Sequence, residues 1–535
     1  MKKLKKIIAI FSVFIFTAST FVGCDSKSKD ISQNRDDGSL ITSDMSLSLS
    51  TDATTQKNYD GRSFYEIFVR SFNDSNGDGI GDLDGVTAKL DYLEELGIKG
   101  LWLMPINESS SYHGYDVDDY YSIESDYGSM EDLEELIAEA HKRDIKVIMD
   151  LVINHTSINN EWFINAKEGE GSKYRDYYIW TDDMTRGNEK TSMGTNVWNR
   201  NGGKKELYNS IFWSGMPDLN MDNPAVVQEV KNIAKLYLDK GIDGFRMDAA
   251  KWIFMETDKN VAFWKDFNSY IKSVNKDSIL VGEVWDEPEN MLPYTEGVDS
   301  FFEFSIGDNI SDGINGNSIS AFPDEYNKVA NLYKDANSEF VMAPFLRNHD
   351  QARVIDSFKD NFQMKMASVM YLTLPGTPYI YYGEEIGMSG GKPDERIREP
   401  FVWDSSDMSK NTSWEMILSS DTLKVAVDIE EEDKNSVLNF YKDILNVRNN
   451  YPSLRYGEVK SVKTEDNNIM AMERSYEDEI SYVLINGNSQ SGSAEVPKGE
   501  YKVVYSNKGK KDTIKSNGNF NMEKDEISII IKNNQ

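Results

Sequence analysis

Residues 241–251 read G-I-D-G-F-R-M-D-A-A-K, and the rest of the chain is organised around them. The apolar positions Ile242, Phe245 and Met247 lead into a carboxylate, Asp248, with a cation two residues upstream at Arg246. That is the pattern of a buried strand emerging at a functional rim. A carboxylate held beside a guanidinium stays ionised, because the opposite charge favours the charged form and can hydrogen-bond it. Asp248 is therefore a candidate nucleophile. Alone, an Arg-x-Asp at a strand end reads more readily as a structural ion pair; the surrounding chain separates the two readings.

Outward from that stretch, apolar residues switch repeatedly between helical and strand spacing. A helix over 224–240 precedes it, with Pro224 at its start and Gly241 just past its end. Upstream, Leu90, Leu93 and Leu96 fit a helix stopped by Gly97, followed by a strand at 100–104. A helix over 130–143 then runs into a buried strand at 146–152. Further strand patterns at 64–70, 279–284, 300–304, 340–346 and 378–382 bring the count to eight, separated by helical stretches. The fold class is α/β, a (β/α)8 TIM barrel. The segment between Asn154 and Pro217 is too long for a loop in a compact domain, and its aromatic, Gly and Asn content predicts an inserted domain B over 155–217. The barrel then comprises 59–154 and 218–453, with its last helix at 436–449. Beyond it, short alternating runs such as 480–485 and 500–505 make 454–535 a C-terminal all-β sandwich.

Before the barrel lies an address. Lys2, Lys3, Lys5 and Lys6 precede an apolar run over 7–22 and then Gly23-Cys24, the layout of a secretory signal over 1–24. Cys24 is the only cysteine, so it has no partner for an internal disulfide. A lone cysteine after a small residue at the end of such a run resembles the lipobox of bacterial lipoproteins, which implies lipidation at Cys24 and an extracellular protein anchored to the cell membrane. Residues 25–58 are rich in Ser, Thr, Asp and Asn and read as a disordered tether. With 90 acidic against 58 basic residues, the formal charge of -32 repels nucleic acid and anionic membrane surfaces, leaving a neutral small molecule or polymer as the partner.

In the first β-to-α connection, residues 74–82 read D-S-N-G-D-G-I-G-D. Oxygen donors at Asp74, Asn76 and Asp78, a Gly at the sixth place and Asp82 at the ninth form a loop for a hard cation, with the Ile80 carbonyl as a fifth donor. Ca2+ is the natural occupant. The twelfth place holds Gly85 where an EF-hand has Glu, so the ligand pattern lacks that motif's last member.

In a barrel of this kind the chemistry collects at the C-terminal ends of the strands. The third strand ends in D-L-V-I-N-H (150–155), the fourth in G-F-R-M-D-A-A-K (244–251), the fifth in G-E-V-W (282–285) and the seventh in F-L-R-N-H-D (345–350). Carboxylates from three strands, Asp248, Glu283 and Asp350, thus share one rim with His155 and His349. In order and spacing these segments resemble the four signature regions of the α-amylase family of glycoside hydrolases. M-P-D-L-N at 216–220, H-G-Y-D at 113–116 and D-E-R-I-R at 394–398 also match family members.

The resemblance implies that Asp248 is the nucleophile, Glu283 the general acid/base and Asp350 the carboxylate that grips sugar hydroxyls. Retaining glycosidases need one ionised carboxylate and one proton-bearing partner about 5–5.5 Å away. Val284 and Trp285 give Glu283 an apolar setting that favours its protonated form, while Arg246 keeps Asp248 charged. His155 and His349 are expected to donate to the sugar and to developing charge. Tyr115 stacks on the ring beside the scissile bond, and Lys251 serves the leaving-group side. Asp116 and Arg246 complete the implied substrate-binding set. Trp252 stands where many amylases have His. The implied activity is endo-hydrolysis of α-1,4 bonds in starch and malto-oligosaccharides. Neopullulanase or cyclomaltodextrinase and exo-acting α-glucosidase are the enzymatic alternatives, and a sugar-binding lipoprotein that lacks one of the three carboxylates is the non-enzymatic one. Neopullulanases usually carry an N-terminal β domain that helps them dimerise; only the polar tether precedes this barrel, so a monomer is expected.

Overall fold

The computed structural model describes residues 59–510 and 512–533; the expected leader, Cys24 and the tether lie outside the described residues. Eight short strands form one sheet: β1 (Phe64–Ile67), β2 (Gly100–Leu103), β3 (Lys146–Leu151), β4 (Gly244–Met247), β5 (Ile279–Gly282), β6 (Ser300–Glu303), β7 (Ala343–Pro344) and β8 (Tyr379–Tyr381). Each pairs in parallel with its neighbour in the chain, and β8 returns to β1. A parallel bridge between Phe345 and Tyr379 joins β7 to β8 and closes the barrel. As a regular strand the seventh covers only two of the seven residues at 340–346, with Phe345 adding a single bridge, and Pro344 is one reason, since it has no N–H to give the ladder.

The helices end where the sequence says they should. Pro224–Asp239 is capped by the Asn223 side chain and stopped by Gly241, whose φ of 105° suits the left-handed residue past a helix end. Met130–Lys142 opens on a reciprocal capping box between Ser129 and Asp132. Inside the barrel, alternate side chains meet in a layer that includes Phe64, Trp102, Ile148, Val281, Phe302, Phe345 and Tyr379. Phe302 stacks on Trp102 at 5.0 Å, so the lumen is a packed core.

Between β3 and β4 the chain makes a long excursion carrying the helix Glu161–Ala166 and a three-stranded antiparallel sheet of Trp180–Thr181, Leu207–Asn209 and Trp198–Arg200. Bridges from His155 to Asp218 and from Tyr178 to Leu219 pin both its ends to the barrel. After the barrel, a six-stranded antiparallel sheet running from Glu458–Ser461 to Glu526–Lys532 and a two-stranded sheet, Gly492–Ala494 with Phe520–Met522, enclose Ile469, Leu484, Val496, Tyr501 and Ile530. This is the all-β C-terminal domain. Among the described residues no helix is long and apolar enough to cross a membrane.

Strand register positions the chemistry. Asp150 lies opposite Arg246 between β3 and β4, and Val281 lies opposite Arg246 between β5 and β4. Met247 pairs with Gly282, and the Glu283 N–H donates to the Met247 carbonyl at 3.0 Å. The next residues out of the barrel, Asp248 and Glu283, therefore emerge side by side.

Candidate active site

Arg246 is fully buried and bonds to three acids. Its Nη1 donates to Asp150 Oδ1 at 2.5 Å and to Asp248 Oδ1 at 2.9 Å, and its Nη2 stands 3.1 Å from Glu283 Oε2, an ion-pair contact without an aligned hydrogen bond. Burial lifts the Asp248 carboxyl to about 6, against the pull of Arg246, with Asp150 and Asp350 adding to the rise. The guanidinium thus does not hold Asp248 at an ordinary carboxylate value, as its sequence neighbourhood implied, because it is divided among three acids in a dry site. At neutral pH Asp248 remains largely ionised.

Glu283 is also raised by burial, opposed by Arg246 and pushed further by Asp248 and Asp350. Of its two apolar neighbours in sequence, Val284 is buried, but Trp285 turns onto the rim with half its surface exposed, stacked on Phe304 at 4.4 Å. The Glu283 carboxylate accepts the Ala249 N–H at 2.9 Å. Ala249 reaches it from a left-handed conformation, φ 49°, which a small side chain tolerates best.

Asp350 is held at both oxygens. Arg398 Nη2 lies 3.0 Å from Oδ1 and His349 Nε2 lies 3.1 Å from Oδ2. Burial favours the neutral acid, yet His349 and Arg398 bring this carboxyl well below the usual range. His349 is itself pushed up to about 10: burial opposes its charge, and Asp350 and Glu66 outweigh burial. Its ring stacks on Tyr115, whose hydroxyl meets both His349 Nε2 at 2.7 Å and Asp150 Oδ2 at 3.1 Å.

These groups floor a cleft of about 480 Å³ lined by Tyr115, His155, Lys251, Trp252, Trp285 and the three carboxylates, with Ser192, Met193, Phe212 and Met216 contributed from the excursion between β3 and β4. Arg246 and His349 lie beneath this floor and act through the carboxylates they hold. His155 borders the cleft, but its Nε2 is engaged by the Tyr115 carbonyl at 2.9 Å, and burial depresses the ring to about 4, so it is neutral. Lys251 pairs with Asp286 at 2.5 Å. Asp116 is not brought into the cleft: its carboxylate takes the Ser109 and Ser111 hydroxyls, which fixes the loop that presents Tyr115. Sequence reasoning missed Glu66, Arg398, Asp286 and Met193. A charge within the apolar run of β1 was a legible signal for Glu66; nothing local marks Met193.

The 74–82 loop is wound by its own amides. Asp74 accepts the N–H groups of Asn76, Gly77 and Gly79, Asn76 that of Asp78, and Asp78 that of Ile80. Asp82 caps the helix Leu83–Ala88 through the Gly85 N–H at 2.6 Å and takes the Ser75 N–H on its other oxygen. Among the described residues no three His, Cys, Asp or Glu side chains converge as a formed metal cage. The all-oxygen donor set nevertheless fits a hard dication, because Asp74 Oδ2, Asn76 Oδ1, Asp78 Oδ1 and Asp82 Oδ1 each accept one N–H and keep a lone pair beyond it.

The family model for the α-amylase catalytic domain matches residues 66–457. The chain is 46% identical over 435 residues to α-amylase 3 of Dictyoglomus thermophilum, spanning 80% of this chain and 85% of that one. It is 34% identical over 385 residues to 4-α-glucanotransferase of Thermotoga maritima, spanning 70% and 84%. The crystal structure of an α-amylase from H. orenii superposes with a TM-score of 0.83 at 39% identity, covering 89% of this chain and all of that one.

The electrostatics of the floor predict an effect on stability. A carboxyl whose folded pKa is raised above its unfolded value destabilises the fold at pH above the folded pKa, and has no such effect where both states are protonated. Asp248→Asn is therefore expected to melt a few degrees above the wild type near neutral pH, with the difference vanishing in acid. Calorimetry at the two pH values reads it, and a lower Tm for the variant near neutral pH would refute the assignment of burial as the dominant influence.

Proposed function

The chain belongs to the α-amylase family of glycoside hydrolases, and on that premise we propose that it is a retaining, endo-acting hydrolase of α-1,4 bonds in starch and malto-oligosaccharides. The observation that carries this reading is the pair Asp248 and Glu283, which emerge side by side from neighbouring strands on one guanidinium, both carboxyls raised by burial so that the pair holds a proton more readily than ordinary acids do. Asp248 attacks the anomeric carbon while Glu283 gives its proton to the glycosidic oxygen, so that bond breaks and an ester to Asp248 forms. Glu283, now a carboxylate, takes a proton from water, and the water oxygen displaces Asp248 with a second inversion. Asp350 binds sugar hydroxyls and favours the positive charge that develops on the ring.

Two features support endo-action on α-1,4 bonds. Exo-acting α-glucosidases of the family commonly have an acidic residue three places before the tyrosine of the Gly-Tyr-Asp motif; this chain has the uncharged aromatic Tyr112, whose ring stacks on Trp414 at 5.3 Å. Relatives that prefer α-1,6 bonds often have Val after the nucleophile, where this chain has Ala249. A second reading, transfer of the glucan to another sugar in place of water, is favoured by the glucanotransferase likeness and by the half-exposed Trp285, a flat face for an acceptor. Residues 1–24 and Cys24 support secretion and lipid anchoring, which suits a polymer too large to import.

Soluble starch should yield a mixture of malto-oligosaccharides from the first minutes, with the fresh anomer α by NMR, and Glu283→Gln should lose several orders of magnitude in kcat. Glucose alone from the start or an initial β anomer would overturn the assignment, and chains longer than the substrate from pure maltotriose would favour transfer.

Calcium is proposed for Asp74, Asn76, Asp78, Asp82 and the Ile80 carbonyl, as a structural ion holding the first connection, with none of the catalytic groups on it. Chelation should lower Tm and readdition restore it; an unchanged Tm would count against the site.

A further inference from the structure

Glu66 sits in the middle of β1, pointing into the barrel lumen, 1% exposed, and none of the steps above uses it. Its Oε1 is 2.5 Å from His349 Nδ1, while the opposite nitrogen, Nε2, is 3.1 Å from Asp350 Oδ2. Each ring nitrogen thus faces a carboxylate oxygen. A neutral imidazole has one N–H and can donate to only one of them; a ring protonated at both nitrogens donates to both. We infer that Glu66 is a positioning residue: by accepting the Nδ1 proton it keeps His349 charged and oriented, so that Nε2 fixes Asp350 in the pose that grips the substrate. The inference rests on the reading of Asp350 as a sugar-binding carboxylate.

The surroundings of the ring support this from every side. Tyr115 stacks on one face, and its hydroxyl, which donates to Asp150, accepts from Nε2, while the Trp102 ring meets the histidine edge-on at 5.8 Å. Arg398 Nε donates to the His349 carbonyl at 3.1 Å, which anchors the backbone without touching the ring nitrogens. Asp150 and Asp248 add negative charge and Arg246 adds positive charge nearby. Of these groups only Glu66 and Asp350 contact a ring nitrogen with a carboxylate, and the two favour the charge on His349 together. Glu66 buried without that partner would be an unpaired anion in the lumen.

The chain has four histidines, so the rings of enzyme labelled with ¹⁵N-histidine are separable by NMR. In the wild type the His349 ring is expected to stay doubly protonated through about pH 8. In Glu66→Gln, which keeps the shape and an acceptor but not the charge, the ring should release its proton below that pH. Activity should follow: kcat/KM on maltoheptaose close to wild type near pH 6, and about tenfold lower for each pH unit above the new pKa. A wild-type ring that titrates near the ordinary histidine value would overturn the inference. So would a Glu66→Gln variant whose kcat/KM falls by one factor at every pH, the mark of a merely structural role. Should the variant not fold, the wild-type titration decides alone. Because that titration needs no substrate, a charged ring in an enzyme without glucan activity would count against the proposed function and leave the positioning role of Glu66 supported.

Discussion

One buried cation sets the terms for the whole rim. Arg246 reaches three carboxylates from three consecutive strands of the barrel, β3, β4 and the end of β5, and has no exposed surface. Without it Asp150, Asp248 and Glu283 would be three acids crowded in a low-dielectric lumen, and burial alone would neutralise them. With it, Asp150 and Asp248 come to about 6, within reach of neutral-pH chemistry, and Glu283 stays raised beside them. Removing the guanidinium from such a buried set leaves its acids unpaired, a change that costs about 3–5 kcal/mol in comparable sites.

A second charge array, Glu66, His349, Asp350 and Arg398, stands across the lumen and does the opposite work. Where one Arg246 is shared among three acids, Asp350 faces two cations, His349 and Arg398, and is held well below the normal carboxylate range. The floor therefore contains one carboxylate held well below the usual range and two raised above it by burial. The difference follows the cations each one faces, two for Asp350 and a share of one for Asp248 and Glu283. Tyr115 links the arrays, touching Asp150 on one side and His349 on the other. The stability these charges cost is offset by the packed layer below, where Trp102, Phe302 and Tyr379 fill the lumen.

The barrel was readable because buried parallel strands and amphipathic helices differ in period, and because Gly97, Gly241 and Pro224 mark where helices stop and start. Strand ends were readable as well, since a carboxylate after an apolar run is conspicuous; hence Asp248, Glu283 and Asp350 could be named. The sharing of Arg246 was not, because Arg246 and Asp248 are adjacent in sequence while Asp150 and Glu283 become its neighbours only through the register of β3, β4 and β5. Asp116 looked like a cleft residue through its motif, and its two serine partners, which turn it away, come from the preceding loop. Met193 and Ser192 reach the cleft from an excursion whose path no periodicity encodes.

The central claim, that a single divided guanidinium sets the ionisation of the nucleophile, is tested most directly by the acid limb of kcat against pH in Arg246→Lys. Lysine keeps the charge as a point and loses the fork that reaches three acids. The wild type should show an acid limb at about 6 and the variant one at distinctly higher pH, as Asp248 loses part of its stabilised charge. An acid limb at the same pH in both enzymes would contradict it.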